Sequence, residues 1–138
     1  MIPKTGSEAM EMFLPRSPFV QHLGIELVHI EEGSARLRMP FTDDLVTVGD
    51  MVHGGALAAC VDIGIMAAAW SGSAVPEKLR GVTIGMSVQF VEPSFAESLD
   101  IIGTLVRAGR RLSTCAVDIR STDTERLIAT GLGTYQVG

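Results

Sequence analysis

The sequence predicts an α+β domain in which one long apolar helix is wrapped by a curved antiparallel sheet of about six strands. Three observations carry this. The stretch from Val52 to Ser73, VHGGALAACVDIGIMAAAWSGS, is a run of small apolar residues that opens on a histidine and two glycines and is interrupted by one carboxylate, Asp62. From Val82 to Phe90, apolar and polar residues alternate with period two, the mark of a strand. The connections between predicted strands are short enough for antiparallel pairing everywhere except around the helix. An Ala- and Gly-rich helix has few side chains that reach solvent, so the sheet has to curl around it.

Taken in order, residues 1–13 are weakly amphipathic and predict a short N-terminal helix, which Pro15 and Pro18 end. GIELVHIEEG, from Gly24, reads as a strand that turns at Glu32-Gly33; Ala35, Leu37 and Met39 then alternate with Arg36 and Arg38, completing a hairpin. Pro40 ends it, and FTDDLVTVGDMV leads to the helix as a loop. After the helix, residues 72–81 form a connector. In the strand that follows, Val82, Ile84, Met86, Val88 and Phe90 share one face, with Thr83, Gly85, Ser87 and Gln89 on the other. Two further strands, about Ser98 to Val106 and Leu112 to Ser121, flank an AGRR turn, and a last one runs from about Arg126 to Val137. The 138 residues read as a single domain, with a helical segment over 1–20 and the core over about 21–137.

A net charge of -5 offers no positive field for a phosphate backbone or an anionic membrane surface, so neither nucleic acid nor membrane is an expected partner. Cys60 and Cys115 have neither disulfide-framework nor metal-ligand spacing, which fits a reducing, cytoplasmic setting. Lys4, Glu8 and Glu11 precede Pro15 with no apolar run of signal-peptide length. The Gly54 to Trp70 run is apolar, but a central Asp costs roughly 2.5–3.5 kcal/mol in a bilayer, so it reads as a core helix. His22 and His29 belong to no metal-binding cluster, and no serine sits in a G-x-S-x-G elbow. Neither a metal nor any other cofactor is expected.

The chemistry concentrates in the central stretch. His53-Gly54-Gly55 stands where the first backbone N–H groups of the helix lack intrahelical partners, and the glycines leave that end open. Such an end holds an anion or a developing oxyanion; equally, the glycines serve close packing alone. Asp62 among Cys60, Val61, Ile63 and Ile65 needs a partner, water or a raised pKa, unless it lies on a solvent-facing side. Nine residues at about 100° each put His53 and Asp62 on opposite faces, some 13 Å apart along the axis. One helix therefore cannot supply both to one site, and a second copy, antiparallel across a dimer two-fold, has to. His53 suits orienting or packing better than proton transfer.

The run from Val48 to Trp70, with His53-Gly54-Gly55 and Asp62, resembles the helix of hotdog-fold acyl-CoA thioesterases of the phenylacetic-acid-degradation (PaaI-like) branch. Gly81 to Ser87, GVTIGMS, resembles that branch's first strand after the helix. The resemblance implies a homodimer, often paired into a homotetramer, with sites between subunits and an acyl-CoA substrate whose coenzyme A is not a cofactor. It implies that the Gly54 N–H polarises the thioester carbonyl, with His53 and Gly55 helping to position it. Asp62 of the partner subunit acts either as general base on water or as a nucleophile, and Thr83 orients the water. Thr47 stands where relatives often have Asn. Arg110 and Arg111 are candidates for the phosphates of coenzyme A by charge complementarity, or else a solvated hairpin tip. Met51, Leu57 and Trp70 are candidate walls of an acyl pocket, or else core. The expected activity is hydrolysis of a small or aromatic acyl-CoA; the alternatives are a non-catalytic acyl-CoA binding module and an enoyl thioester hydratase or dehydratase.

Overall fold

The computed structural model describes residues 2–138. Thr5 caps the first helix, α1 (Gly6–Phe13): its hydroxyl accepts the Glu8 N–H at 3.1 Å, and the Glu8 carboxylate accepts the Lys4 N–H at 2.7 Å. A 3-10 turn at Leu14–Arg16 leads into a second helix, α2 (Pro18–Leu23). Pro18 thus starts a helix where the sequence predicted an end. At the first helical position a proline forfeits only an N–H that has no partner anyway, and Gly24 at φ 71° closes α2 in the left-handed region.

The predicted hairpin forms from β1 (Glu26–Glu31) and β2 (Ser34–Met39). The segment expected to be loop contains a 3-10 turn at Asp43–Leu45 and a small ribbon of β3 (Val46–Val48) and β4 (Met51–Val52), joined through Gly49 at φ 59°. The long helix, α3, spans Gly54–Ser71. The four strands β5 (Gly81–Phe90), β6 (Leu99–Ala108), β7 (Leu112–Ser121) and β8 (Leu127–Val137) follow, and the six-stranded antiparallel sheet has the order β1-β2-β6-β7-β8-β5.

One long central helix against a curved six-stranded sheet is the hotdog architecture. α3 packs along β2, β6, β7, β8 and β5, and α1 packs against it as well. Leu37, Met39, Ile65, Leu99, Ile101 and Ile119 fill the layer between. The helix is apolar and long enough to cross a membrane, yet 61% of it is buried inside the fold, as a core helix is. Helix and sheet backbones meet at Gly103 of β6: a Cβ there would stand 2.6 Å from the Gly64 carbonyl oxygen.

Strand β5 departs from the predicted alternation. Its register against β8 slips between Thr83 and Gly85, where Ile84 is the extra residue of a bulge. Thr83 opposes the buried Tyr135, whereas Met86, Val88 and Phe90 oppose Gly133, Gly131 and Ala129 on that same inner face. Thr83 therefore joins Met86, Val88 and Phe90 in facing the helix, and Val82 and Ile84 leave the face predicted for them. A one-residue insertion reverses the side on which every earlier residue points.

The two sheet edges differ. β1 is blunted by a bulge between Leu27 and His29 and by Glu26, His29 and Glu31. β5 carries no charge along its length and leaves Val82, Ile84 and Met86 exposed at 54%, 55% and 41%.

Candidate functional site

His53 caps α3 with extended backbone (φ -64°, ψ 135°), and its Nδ1 accepts the Gly55 N–H at 2.8 Å. That nitrogen is therefore unprotonated and Nε2 carries the hydrogen. The Ala56 and Leu57 N–H groups both donate to the His53 carbonyl, at 3.0 and 3.2 Å. Of the four donors that begin the helix, Gly54 N–H alone makes no hydrogen bond among the described residues. His53 is thus spent on organising the helix end, Gly55 is its partner, and Gly54 is left presenting a free donor.

Gly54 borders a groove of about 320 Å³. Thr47 on β3, Met51 and Val52 on β4, Leu57 on α3, and Phe90 to Pro93 at the end of β5 line the rest of it. Leu57 and Met51, candidate walls of an acyl pocket, both line this groove. Trp70 does not: it lies three turns further along α3, where its Nε1 donates to the Tyr135 hydroxyl at 3.2 Å in the core. Phe90 keeps the face predicted for it, and it escaped prediction as a wall because long-range packing alone decides that the end of β5 meets the N-terminus of α3.

Asp62 is half-buried on α3, and its Oδ1 accepts the Thr83 hydroxyl proton at 2.6 Å. One carboxylate oxygen is thereby fixed and the other is left available. Counted from Gly54, the first helical residue, Asp62 lies eight residues on, about 80° around and roughly 12 Å along the axis. Both residues look towards β5, Gly54 beside Phe90 and Asp62 beside Thr83. The expected opposition of faces is corrected, since His53 is a cap outside the helical phase. Axial distance keeps Gly54 and Asp62 from meeting within one chain.

Arg110 and Arg111 stand at the β6–β7 turn beside a hollow of about 560 Å³ that Arg107 also lines. This turn packs near Gly72 to Ala74, so it lies at the opposite end of α3 from Gly54, roughly 27 Å away along the 18-residue helix. Lys78 and Arg80, just before β5, belong to the same end, where the Arg80 carbonyl accepts the Gly138 N–H. The groove end carries Asp43, Asp44, Asp50, Glu92 and Glu97 against Arg126. The charged residue lining the groove is thus a carboxylate, while guanidiniums line the hollow at the opposite end of α3, a placement invisible until distant segments are brought together.

Buried Cys60 and Cys115 are pushed by desolvation up to about 12 and about 11, which keeps both as protonated core groups. Among the described residues no three His, Cys, Asp or Glu side chains gather as metal ligands.

A thioesterase superfamily model matches residues 49–128, which include α3, β5, β6 and β7. The medium/long-chain acyl-CoA thioesterase YigI of Escherichia coli is 28% identical, over 93% of this chain and 90% of that protein. A thioesterase family protein from Silicibacter pomeroyi superposes with a TM-score of 0.86 at 23% identity, covering 96% of this chain and 99% of that one. The PaaI protein of the E. coli phenylacetic acid degradation operon superposes with a TM-score of 0.76 at 22% identity, covering 95% and 94%.

Proposed function

The chain belongs to the thioesterase superfamily, and from that premise we propose that it hydrolyses an acyl-CoA thioester bearing a small or aromatic apolar acyl group. The observation that carries this is the unpartnered Gly54 N–H at the head of α3, opening onto a groove of mostly carbon walls. A thioester carbonyl set against that donor, at the positive end of the helix dipole, is polarised and its developing oxyanion stabilised.

The acid–base group comes from a second copy. Of the two sheet edges, β5 is the one suited to pairing, being uncharged and apolar. Antiparallel pairing of two β5 strands about their midpoints sets the Thr83 end of one against the Phe90 end of the other. Asp62 of the partner subunit then approaches Gly54. This arrangement also brings the partner subunit's Arg110 and Arg111 to the side from which the phosphates of coenzyme A extend, with the partner's Arg80 and the partner's Arg107 beside them.

Thr83 holds one oxygen of Asp62, and the other takes a proton from water. The water oxygen bonds to the thioester carbon, and the carbonyl electrons move onto the oxygen facing Gly54 N–H. When they return, the C–S bond breaks and the coenzyme A thiolate leaves, taking the proton back from Asp62. Turnover of an acyl-CoA panel, followed by thiol release, tests this with Asp62→Ala. A fall of at least about 10²-fold is expected for loss of a general base; unchanged turnover removes Asp62 from the mechanism.

Thr47, standing where the resemblance to the PaaI-like branch implies Asn, supports a second reading, an acyl-CoA binding module without turnover. Saturable binding of the ester with no product selects it.

A further inference from the structure

We propose that Glu92 is a specificity-determining residue of the acyl groove, turning away acyl groups that end in a carboxylate and leaving the site to uncharged ones. This rests on the thioesterase reading above. Glu92 is the one charged residue lining the groove; the side chains of Met51, Leu57, Phe90 and Pro93 offer only carbon or sulfur. Its side chain is 49% exposed, and its Oε2 lies 2.6 Å from Arg126 Nε in an ion pair.

That cation does not cancel it. Arg126 Nη2 also donates to Glu97 Oε2 at 2.8 Å, so one guanidinium faces two carboxylates and the cluster keeps one net negative charge. Glu97 stays ionised: burial pushes its carboxyl up, but hydrogen bonds from Ser121, Arg126 and Ser94 outweigh this and hold it below its ordinary range. Arg126 is further tied to the Pro93 carbonyl and the Thr124 hydroxyl, so it cannot turn to meet an incoming anion without losing these contacts. The arginines Arg80, Arg107, Arg110 and Arg111 lie at the far end of α3, out of reach of the groove.

An acyl carboxylate entering the groove sheds hydration against carbon walls and meets a like charge. At a half-exposed site, two unit charges a few ångströms apart discriminate by roughly tenfold. The test compares kcat/KM for hexanoyl-CoA and adipoyl-CoA, which have equal chain length and differ in a terminal methyl or carboxylate. The wild type is expected to favour hexanoyl-CoA, and Glu92→Gln to raise the adipoyl-to-hexanoyl ratio about tenfold, with Glu92→Lys raising it further. Added salt is expected to shrink the wild-type preference, which a purely steric wall would not show. A ratio unmoved in both variants overturns the proposal. Should the wild type hydrolyse neither ester, the acyl-CoA panel judges the thioesterase reading, and the same ratio is read from the affinities of the two non-hydrolysable thioether analogues. An unmoved ratio there overturns the role of Glu92 as well.

Discussion

Replacing Thr83 by Val removes a hydroxyl and keeps the branched shape, so it isolates the 2.6 Å hydrogen bond to Asp62 Oδ1. Thr83 lies on the half-exposed rim of the core, and the lost contact is a bond to a charged acceptor. Such bonds contribute about 1.5–3 kcal/mol when well buried. Asp62 is only half-buried, so the lower end of that range applies, about 1.5 kcal/mol. If the bond serves to hold Asp62 in its reactive orientation, the loss falls on the transition state, and kcat drops by roughly tenfold with KM little changed. Thr83→Ser, which restores the donor, is expected to recover most of kcat. A stability loss of about 1 kcal/mol corresponds to a Tm lower by about 3 °C for a chain of this size, which calorimetry separates from the kinetic effect. Wild-type kcat in Thr83→Val would refute the positioning role, and so would a Ser variant as slow as the Val one.

Ile84→Lys places a charge on the free β5 edge and is expected to yield a monomer in sedimentation velocity, with thiol release lost; an active monomer would sink the shared site. Gly103→Ala drives a methyl to 2.6 Å from the Gly64 carbonyl, so the helix must shift off the sheet, at a cost of about 1–3 kcal/mol seen in the urea midpoint. Asp100 is only 1% exposed; burial pushes its carboxyl up, but hydrogen bonds from Arg38, Arg36 and Thr122 outweigh this and hold it at about 2. A folded-state pKa below the unfolded value contributes stability above about pH 4 that is lost as the pH falls to about 2, on the order of 2 kcal/mol. Asp100→Asn is expected to be less stable at neutral pH and to show a smaller loss of urea stability over that acid window; an unchanged acid slope would refute this.

Much of the architecture is legible in the residues themselves. Helix α3 follows from a long apolar run of Ala, Leu and Ile opened by a His cap and two glycines, because capping and burial are settled within a few turns of chain. Strands β6 to β8 follow from period-two patterns bounded by turn residues, for the same local reason. The free donor at Gly54 was half visible: an open helix end could be read from His-Gly-Gly, but not that His53 Nδ1 and the His53 carbonyl satisfy the next three N–H groups and leave one.

What pairing between distant strands decides was not legible. The bulge at Ile84 exists only in register against β8, and it alone turns Thr83 inwards to Asp62, where simple alternation had placed Thr83 away from Val88 and Phe90. The charge of Glu92 at the groove, and its sharing of Arg126 with Glu97, depend on bringing the end of β5, the start of β8 and the loop before β6 together. Local sequence determines which segments are helix and strand and which backbone donors are open, since those depend on neighbours in the chain. Tertiary structure decides which side chains share a site, since one inserted residue reverses a strand's faces and long-range contacts set the electrostatics.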